Sequence, residues 1–172
     1  MAPFAVDRPD DAQWNREARN ETDTERLDRN WADLLQELRV AQTGVQLLTG
    51  LLLTVPFQSR FPEILLHQRV VYLITTGLSV LATGLLIAPV ILHRVLFRQH
   101  ARPELVSAAQ RFAILGLGTL GLAVVGVVDL IFDVVVGPIG GIVAAAAGLL
   151  VLIGLWVVLP LVIRRRLTAA DP

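Results

Sequence analysis

Two aspartates, Asp129 and Asp133, are the residues of this chain best placed to do chemistry. They are the only acids at or within a predicted span boundary, and a spacing of four residues puts them on one helix face. Carboxylates inside a membrane often bind a proton or a cation, so the pair is a candidate ion or proton site. The predicted depth of the two aspartates in the membrane favours a simpler interpretation, in which they are interfacial acids that end the span. Asp129 follows Arg111 by 18 residues, or about 27 Å of helix, so we expect water at the far boundary to reach both carboxylates and an asparagine pair to be tolerated.

A second polar stripe lies in the first apolar run. Arg39, Gln42, Gln46 and Thr49 advance by three and four residues and therefore share one helix face. Amide side chains in hydrocarbon need partners, so this face should point into protein or into a wet cavity. Hydrogen bonding between helices is the favoured interpretation. The alternative is that Gln42 and Gln46 line a transport path together with the two aspartates.

Other motifs argue against an enzyme. The segment Gly116-Leu117-Gly118-Thr119-Leu120-Gly121 matches GxGxxG, but a dinucleotide site needs a preceding strand in a soluble βαβ unit, and these glycines lie in an apolar span. The three histidines, His67, His93 and His100, lack metal-ligand spacing, and there is no cysteine. We therefore expect no catalytic residues, no metal and no cofactor, and no basic aromatic stripe suggests nucleic acid.

Four long apolar runs must position these residues. Hydrophobic residues make up 54% of the 172-residue chain, too many for a soluble domain this short to bury. The fold class is therefore all-α: an integral membrane protein with four transmembrane helices preceded by a cytoplasmic amphipathic helix. The predicted spans are about 40–57, 70–92, 112–130 and 139–163, within a transmembrane domain of residues 40–166.

The fifteen basic residues are all arginine, and they orient the chain. Six precede the first run, four lie between the second and third, and three follow the fourth. Only Arg60 and Arg69 lie in the other two connections. Since cytoplasmic loops retain arginine near span ends, both termini should be cytoplasmic. The partner that composition implies is the lipid bilayer, and the expected location is the bacterial cytoplasmic membrane.

The segment before the first span divides into two parts. Residues 1–21 are polar and aperiodic, which predicts a disordered cytoplasmic tail, and residues 167–172 form a second, short cytoplasmic tail. Residues 22–39 form an amphipathic helix that begins with capping-box spacing at Thr22 and Glu25 and continues into the first span. Its face is acidic, whereas the connection 94–111 and the segment Arg164–Arg166 are basic, so we expect the helix over 24–38 to dock on one of these with Trp31 shielded from water.

Small residues predict where the spans touch. Thr75, Ser79 and Thr83 repeat every four residues in the second span, and Gly116, Gly118 and Gly121 lie in the third. Small side chains let membrane helices approach closely, so the third and fourth spans should form a tight hairpin or an oligomer interface. Pro89 should kink or end the second helix, and Trp156 lies too deep for an interfacial belt and is assigned to packing.

The stretches ETDTERLDRNW, LLQELRVAQTGVQLL, VPFQSRF, LLIAPVILHRVLFR and LIFDVVVG together resemble a bacterial family of short four-helix integral membrane proteins of unknown function. The resemblance covers about residues 21–137. It implies a multi-span membrane protein. Members are sometimes labelled sodium:proton antiporter, but the resemblance supplies no ion-binding residues to transfer.

The sequence thus leads to one expected function and one alternative. The first is a non-enzymatic structural or accessory component of the membrane that associates with itself or with another membrane protein. The alternative is a small oligomeric ion or proton transporter that uses Asp129 and Asp133.

Overall fold

The computed structural model describes residues 22–96 and 102–169, and the described chain is all-α. Its helices are α1 (Asp23–Thr54), α2 (Leu66–Leu96), α3 (Arg102–Val136), α4 (Pro138–Ile153) and α5 (Leu159–Ala169). The predicted tail of residues 1–21, His100 and residues 170–172 lie outside the described residues, as does the side chain of His93.

Four stretches are long and apolar enough to cross a membrane: Trp31–Phe57, Leu66–Leu92, Ser107–Val136 and Pro138–Arg166. The four predicted spans all fall inside them. Helix α1 extends beyond its predicted span at its N-terminal end, and α2 and α3 extend beyond theirs at both ends. Helices α4 and α5 form one fourth span, interrupted by a π-helical turn at Gly154–Val158. That turn immediately precedes Pro160, which has no N–H to donate to the carbonyl four residues back.

Helix α1 is one continuous helix that includes the predicted amphipathic segment. The Thr22 hydroxyl accepts from the backbone N–H of Glu25, and the Glu25 carboxylate accepts from the N–H of Thr22, so the predicted capping box is confirmed. Further along, Trp31 is buried against Ala109 of α3, with Leu92 of α2 beside it. The amphipathic part of α1 therefore packs on the helices that flank the basic connection, and Trp31 is shielded as expected.

The connection between α1 and α2 is short and rigid. Pro56 and Pro62 each lie within a 3-10 turn, Val55–Phe57 and Phe61–Glu63, because proline fixes φ at a value that suits a tight turn. In α2 the helix passes through Pro89 and ends at Leu96. Of the two outcomes predicted for this proline, a kink or an end of the helix, the second is therefore wrong.

The helices pack in an order that places α2 at the centre. Helix α2 lies between α1 and α3, and α4 packs chiefly on α3. The core consists of apolar side chains from α1, α2 and α3: Leu38, Val45, Ala82, Leu86 and Ala113. We call the end of the bundle that carries residues 55–65 and Gly137 the loop end, and the opposite end, which carries Arg94, Arg111 and Arg164, the arginine end.

The hairpin between α3 and α4 turns on one glycine. Gly137 has φ 105°, a conformation that L side chains rarely adopt, and α4 begins at the next residue. Four residues on, a Cβ at Gly141 would lie 2.9 Å from the carbonyl oxygen of Asp129 and from Cβ of Asp133. The tight hairpin predicted between the third and fourth spans is confirmed at the loop end.

Candidate functional site

Asp133 is a buried carboxylate held by two residues of the neighbouring helix. Its side chain retains 5% exposure. Its Oδ2 lies 2.8 Å from Nε2 of His67, and its Oδ1 accepts from Nε2 of Gln68 at 3.2 Å. Gln68 is itself fixed, because its Oε1 accepts from the backbone N–H of Leu65 at 2.9 Å. We call Asp133, His67 and Gln68 the Asp133 clasp.

The clasp forms because α2 and α3 are antiparallel. His67 and Gln68 lie in the first turn of α2, and Asp133 lies in the last turn of α3, so all three are at the loop end. The His67 side chain remains 47% exposed. The His67 ring is therefore accessible from outside the protein at the loop end, whereas the Asp133 carboxylate is not.

The position of Asp133 corrects part of the sequence interpretation. Helix rise placed both aspartates near one boundary, and both do lie near the loop end. The expectation that water solvates each carboxylate is wrong for Asp133, which is buried by protein, whereas Asp129 is partly exposed. Arg69, the next residue of α2, donates from Nη2 to the carbonyl of Pro62 at 2.7 Å. Sequence reasoning did not single out the two partners of Asp133, which are His67 and Gln68.

The glutamine stripe separates into two different environments. Gln42 donates from Nε2 to the backbone carbonyl of Leu86 in α2 at 2.7 Å, whereas Gln46 is exposed on the bundle surface. Leu86 lies in the turn before Pro89, next to Leu85, whose carbonyl is the one that the missing N–H of Pro89 would have bonded. Gln42 therefore joins α1 to α2, as the hydrogen-bonding interpretation expected. The structure does not bring Gln42 or Gln46 to the aspartates.

Hydroxyl groups follow α2 through the centre of the bundle. Thr75 and Ser79 are buried, and Ser79 donates to the carbonyl of Thr76 at 2.8 Å. Thr83 donates to the carbonyl of Ser79 at 2.9 Å, and its Oγ1 lies 3.5 Å from Oγ1 of Thr49. The stripe predicted for close helix contact thus lies inside the bundle.

Glycines of α3 mark its closest contacts with neighbouring helices. A Cβ at Gly126 would overlap Oγ1 of Thr75, and one at Gly116 would lie 2.8 Å from the Leu86 side chain. On another face, a Cβ at Gly121 would lie 3.1 Å from the Trp156 ring, so Trp156 does pack on α3. A Cβ at Gly118 would meet nothing within 4 Å. Two of the three glycines predicted to pack therefore do so.

The Asp133 clasp lies at one end of the bundle, and close packing separates it from the arginine end. Among the described residues, no group of three histidine, aspartate or glutamate side chains could hold a metal ion. Between the clasp and the arginine end, the close contact of Thr75 with Gly126 is followed by the fully buried Ala82 and Leu86. Chemically, the clasp can bind a proton or pair with a cation, and it can fix α2 against α3.

A comparison with known protein families identifies the family of this chain. No curated protein and no solved structure matches the chain significantly. Residues 20–160, which include all of α1, α2 and α3 and most of the fourth span, match a family of unknown function, DUF6328. The chain, which carries four helices long and apolar enough to span a membrane, therefore belongs to DUF6328, a family of unknown function.

Proposed function

We propose that the protein is a non-enzymatic, multi-pass component of the bacterial cytoplasmic membrane with a structural or accessory role. The four apolar stretches support membrane insertion. The arginine end, where the described cations Arg94, Arg111 and Arg164 lie, supports a cytoplasmic location for both termini. In this orientation the Asp133 clasp lies at the outer face.

One observation carries the proposal: several polar side chains inside the spans hold one helix against another. Gln42 bonds to a backbone carbonyl of α2, Thr49 meets Thr83, and Asp133 is bonded by two side chains of α2. Polar groups that line an ion path must instead be available to the ion. Their use between helices favours a rigid bundle over a conducting one.

A proteoliposome assay tests this function. Purified protein is reconstituted with a pH-sensitive dye inside the vesicles, and sodium and pH gradients are applied separately. We expect proton and sodium movement no faster than in protein-free vesicles. A flux well above that of the empty vesicles would contradict the accessory role.

The buried carboxylate favours one second candidate, a small ion or proton transporter. Asp133 is enclosed by protein and touches His67, whose ring is half exposed, so a proton could pass between ring and carboxylate. If this candidate is right, the parent protein shows a flux that Asp133→Asn abolishes. The matched control is Glu63→Gln, which removes an exposed acid from the same loop end.

The fourth span supports association with a partner in the membrane. None of its most apolar 18-residue stretch is buried within the chain, and α4 packs chiefly on α3. We propose that a second copy or another membrane protein packs on this span. Counting photobleaching steps of labelled protein in vesicles at low density tests self-association, and a single step in nearly every spot would contradict a homo-oligomer.

A further inference from the structure

We propose that a groove at the loop end binds one acyl chain of a bilayer phospholipid, with the phosphate at the connection between α1 and α2. The groove has a volume of about 430 Å³ and lies between α1 and α3, with α2 at its floor. Its walls include Leu48, Leu52, Ile64, Tyr72, Val127 and Leu130. The volume is in the range of small-molecule sites in proteins.

The lining selects a hydrocarbon ligand. Only two side chains on the wall carry strong hydrogen-bonding groups, and both are already engaged. The Tyr72 hydroxyl donates to the carbonyl of Leu52 at 2.9 Å, and Gln68 bonds to Asp133 and Leu65. Apolar cavities without free polar partners do not hold ordered water. The groove therefore favours a chain of methylene groups over water or a polar solute.

The length and opening of the groove point to the bilayer as the source. Lining residues on α3 run from Val127 to Val135, which is about 12 Å of helix. Val127 and Leu130 fall within the predicted third span and the other lining residues of α3 follow it, so the groove reaches from the membrane boundary at the loop end into one leaflet and can hold the part of an acyl chain nearest the headgroup. Val134 and Val135 line the groove yet remain exposed, so it opens on the same apolar surface that faces lipid.

Charge at the mouth selects the phosphate. Val55 and Ile64 both line the groove, so the loop that joins them crosses its loop end. That loop presents the exposed cation Arg60 and the exposed acid Glu63, and Arg69 lies one turn into α2, held by the carbonyl of Pro62. Guanidinium groups bind phosphate through several charge-assisted hydrogen bonds. Arg60 therefore offers the phosphate of a phospholipid a contact that an uncharged diacylglycerol lacks.

Native mass spectrometry of the full chain in detergent tests the site, with dioleoyl phosphatidylglycerol and dioleoylglycerol as the two probes. The parent should bind one phosphatidylglycerol per chain with clear preference over dioleoylglycerol. Leu130→Trp fills the groove and should weaken that binding about tenfold or more. Val134→Trp at the exposed rim should act in the same direction and keeps the test valid if the first variant misfolds.

Two further variants complete the test. The control Leu81→Trp adds the same ring to an exposed position of α2 outside the groove and should change nothing. Arg60→Gln should weaken phosphatidylglycerol binding and leave dioleoylglycerol binding unchanged. Parent-like binding by both groove variants would overturn the acyl-chain site, and equal binding of the two probes by the parent would overturn the phosphate contact.

This inference rests on the proposed membrane location, but the two can fail separately. A chain that does not partition into the membrane fraction contradicts the proposed function. A membrane-embedded chain that binds no phosphatidylglycerol contradicts only the groove.

Discussion

Replacing Asp133 with alanine removes the centre of the clasp and tests what the clasp does. Two contacts to α2 are lost, one from Gln68 at 3.2 Å and one from His67 at 2.8 Å. Interhelical hydrogen bonds within membranes contribute about 0.6 kcal/mol each on average. His67 is half exposed and recovers a partner from its surroundings, whereas buried Gln68 is left with an unsatisfied donor, which costs about 1–3 kcal/mol. We therefore expect a loss of about 1–3 kcal/mol in the free energy of unfolding.

The assay is reversible unfolding in mixed micelles, followed by circular dichroism. Asp133→Asn retains an oxygen that accepts from Gln68, so it should lose less than about 1 kcal/mol. The double variant with Gln68→Ala should lose clearly less than the sum of the two single variants, because one variant already removes the contact that the other would break. Glu63→Ala is the matched control, an exposed acid at the same end. Additive losses, or an alanine variant as stable as the control, would refute the clasp.

Three further substitutions test the rest of the bundle. Gly126→Ala should lose about 1–3 kcal/mol in the same unfolding assay, since its methyl group would overlap a hydroxyl of α2, whereas Gly118→Ala should lose none. Gln42→Leu should lose about 0.6 kcal/mol, and the exposed Gln46 should tolerate leucine. The pKa of Glu25 is lowered below its ordinary 4.5 by hydrogen bonds from the backbone and side chain of Thr22. Its capping contribution is therefore complete above pH 4.5 and is lost as the pH falls through the lowered pKa. Amide exchange in the first turn of α1 should accelerate there relative to later turns, and Glu25→Gln should remove that dependence.

The sequence predicted the helices well because apolar run length and breakers are local properties. The four predicted spans lie inside the four apolar stretches, and the capping box at Thr22 and Glu25 is present. The end of α2 was harder to predict. Pro89 removes the donor for the carbonyl of Leu85, yet the helix continues, and Gln42 from α1 donates to the next carbonyl, that of Leu86. A contact supplied by another helix is not visible in the local sequence.

The sequence predicted how far along the bundle the candidate site lies, but not which residues contact Asp133. Helix rise placed Asp133 near one end of the bundle, which is correct, but rise says nothing about the neighbouring helix. One signal was available: in an antiparallel hairpin, the first residues of the second span face the last residues of the third. That pairing brings His67 and Gln68 to Asp133. The same register brings Thr75 to Gly126, a contact that the glycine pattern alone did not single out.

The two candidate functions make opposite demands on the contacts of the Asp133 clasp. A carboxylate that carried a proton or a cation would have to exchange its contacts with His67 and Gln68 at every turnover. The loop ends of α2 and α3 would then separate in part each time, and the groove beside Gln68 would change shape with them. A structural clasp has the opposite requirement, because its contacts must persist. The stability of Asp133→Ala and the flux of the parent and of Asp133→Asn therefore decide between them: a structural clasp predicts a stability loss in the alanine variant with no parental flux, and a transport site predicts a parental flux that the asparagine variant abolishes.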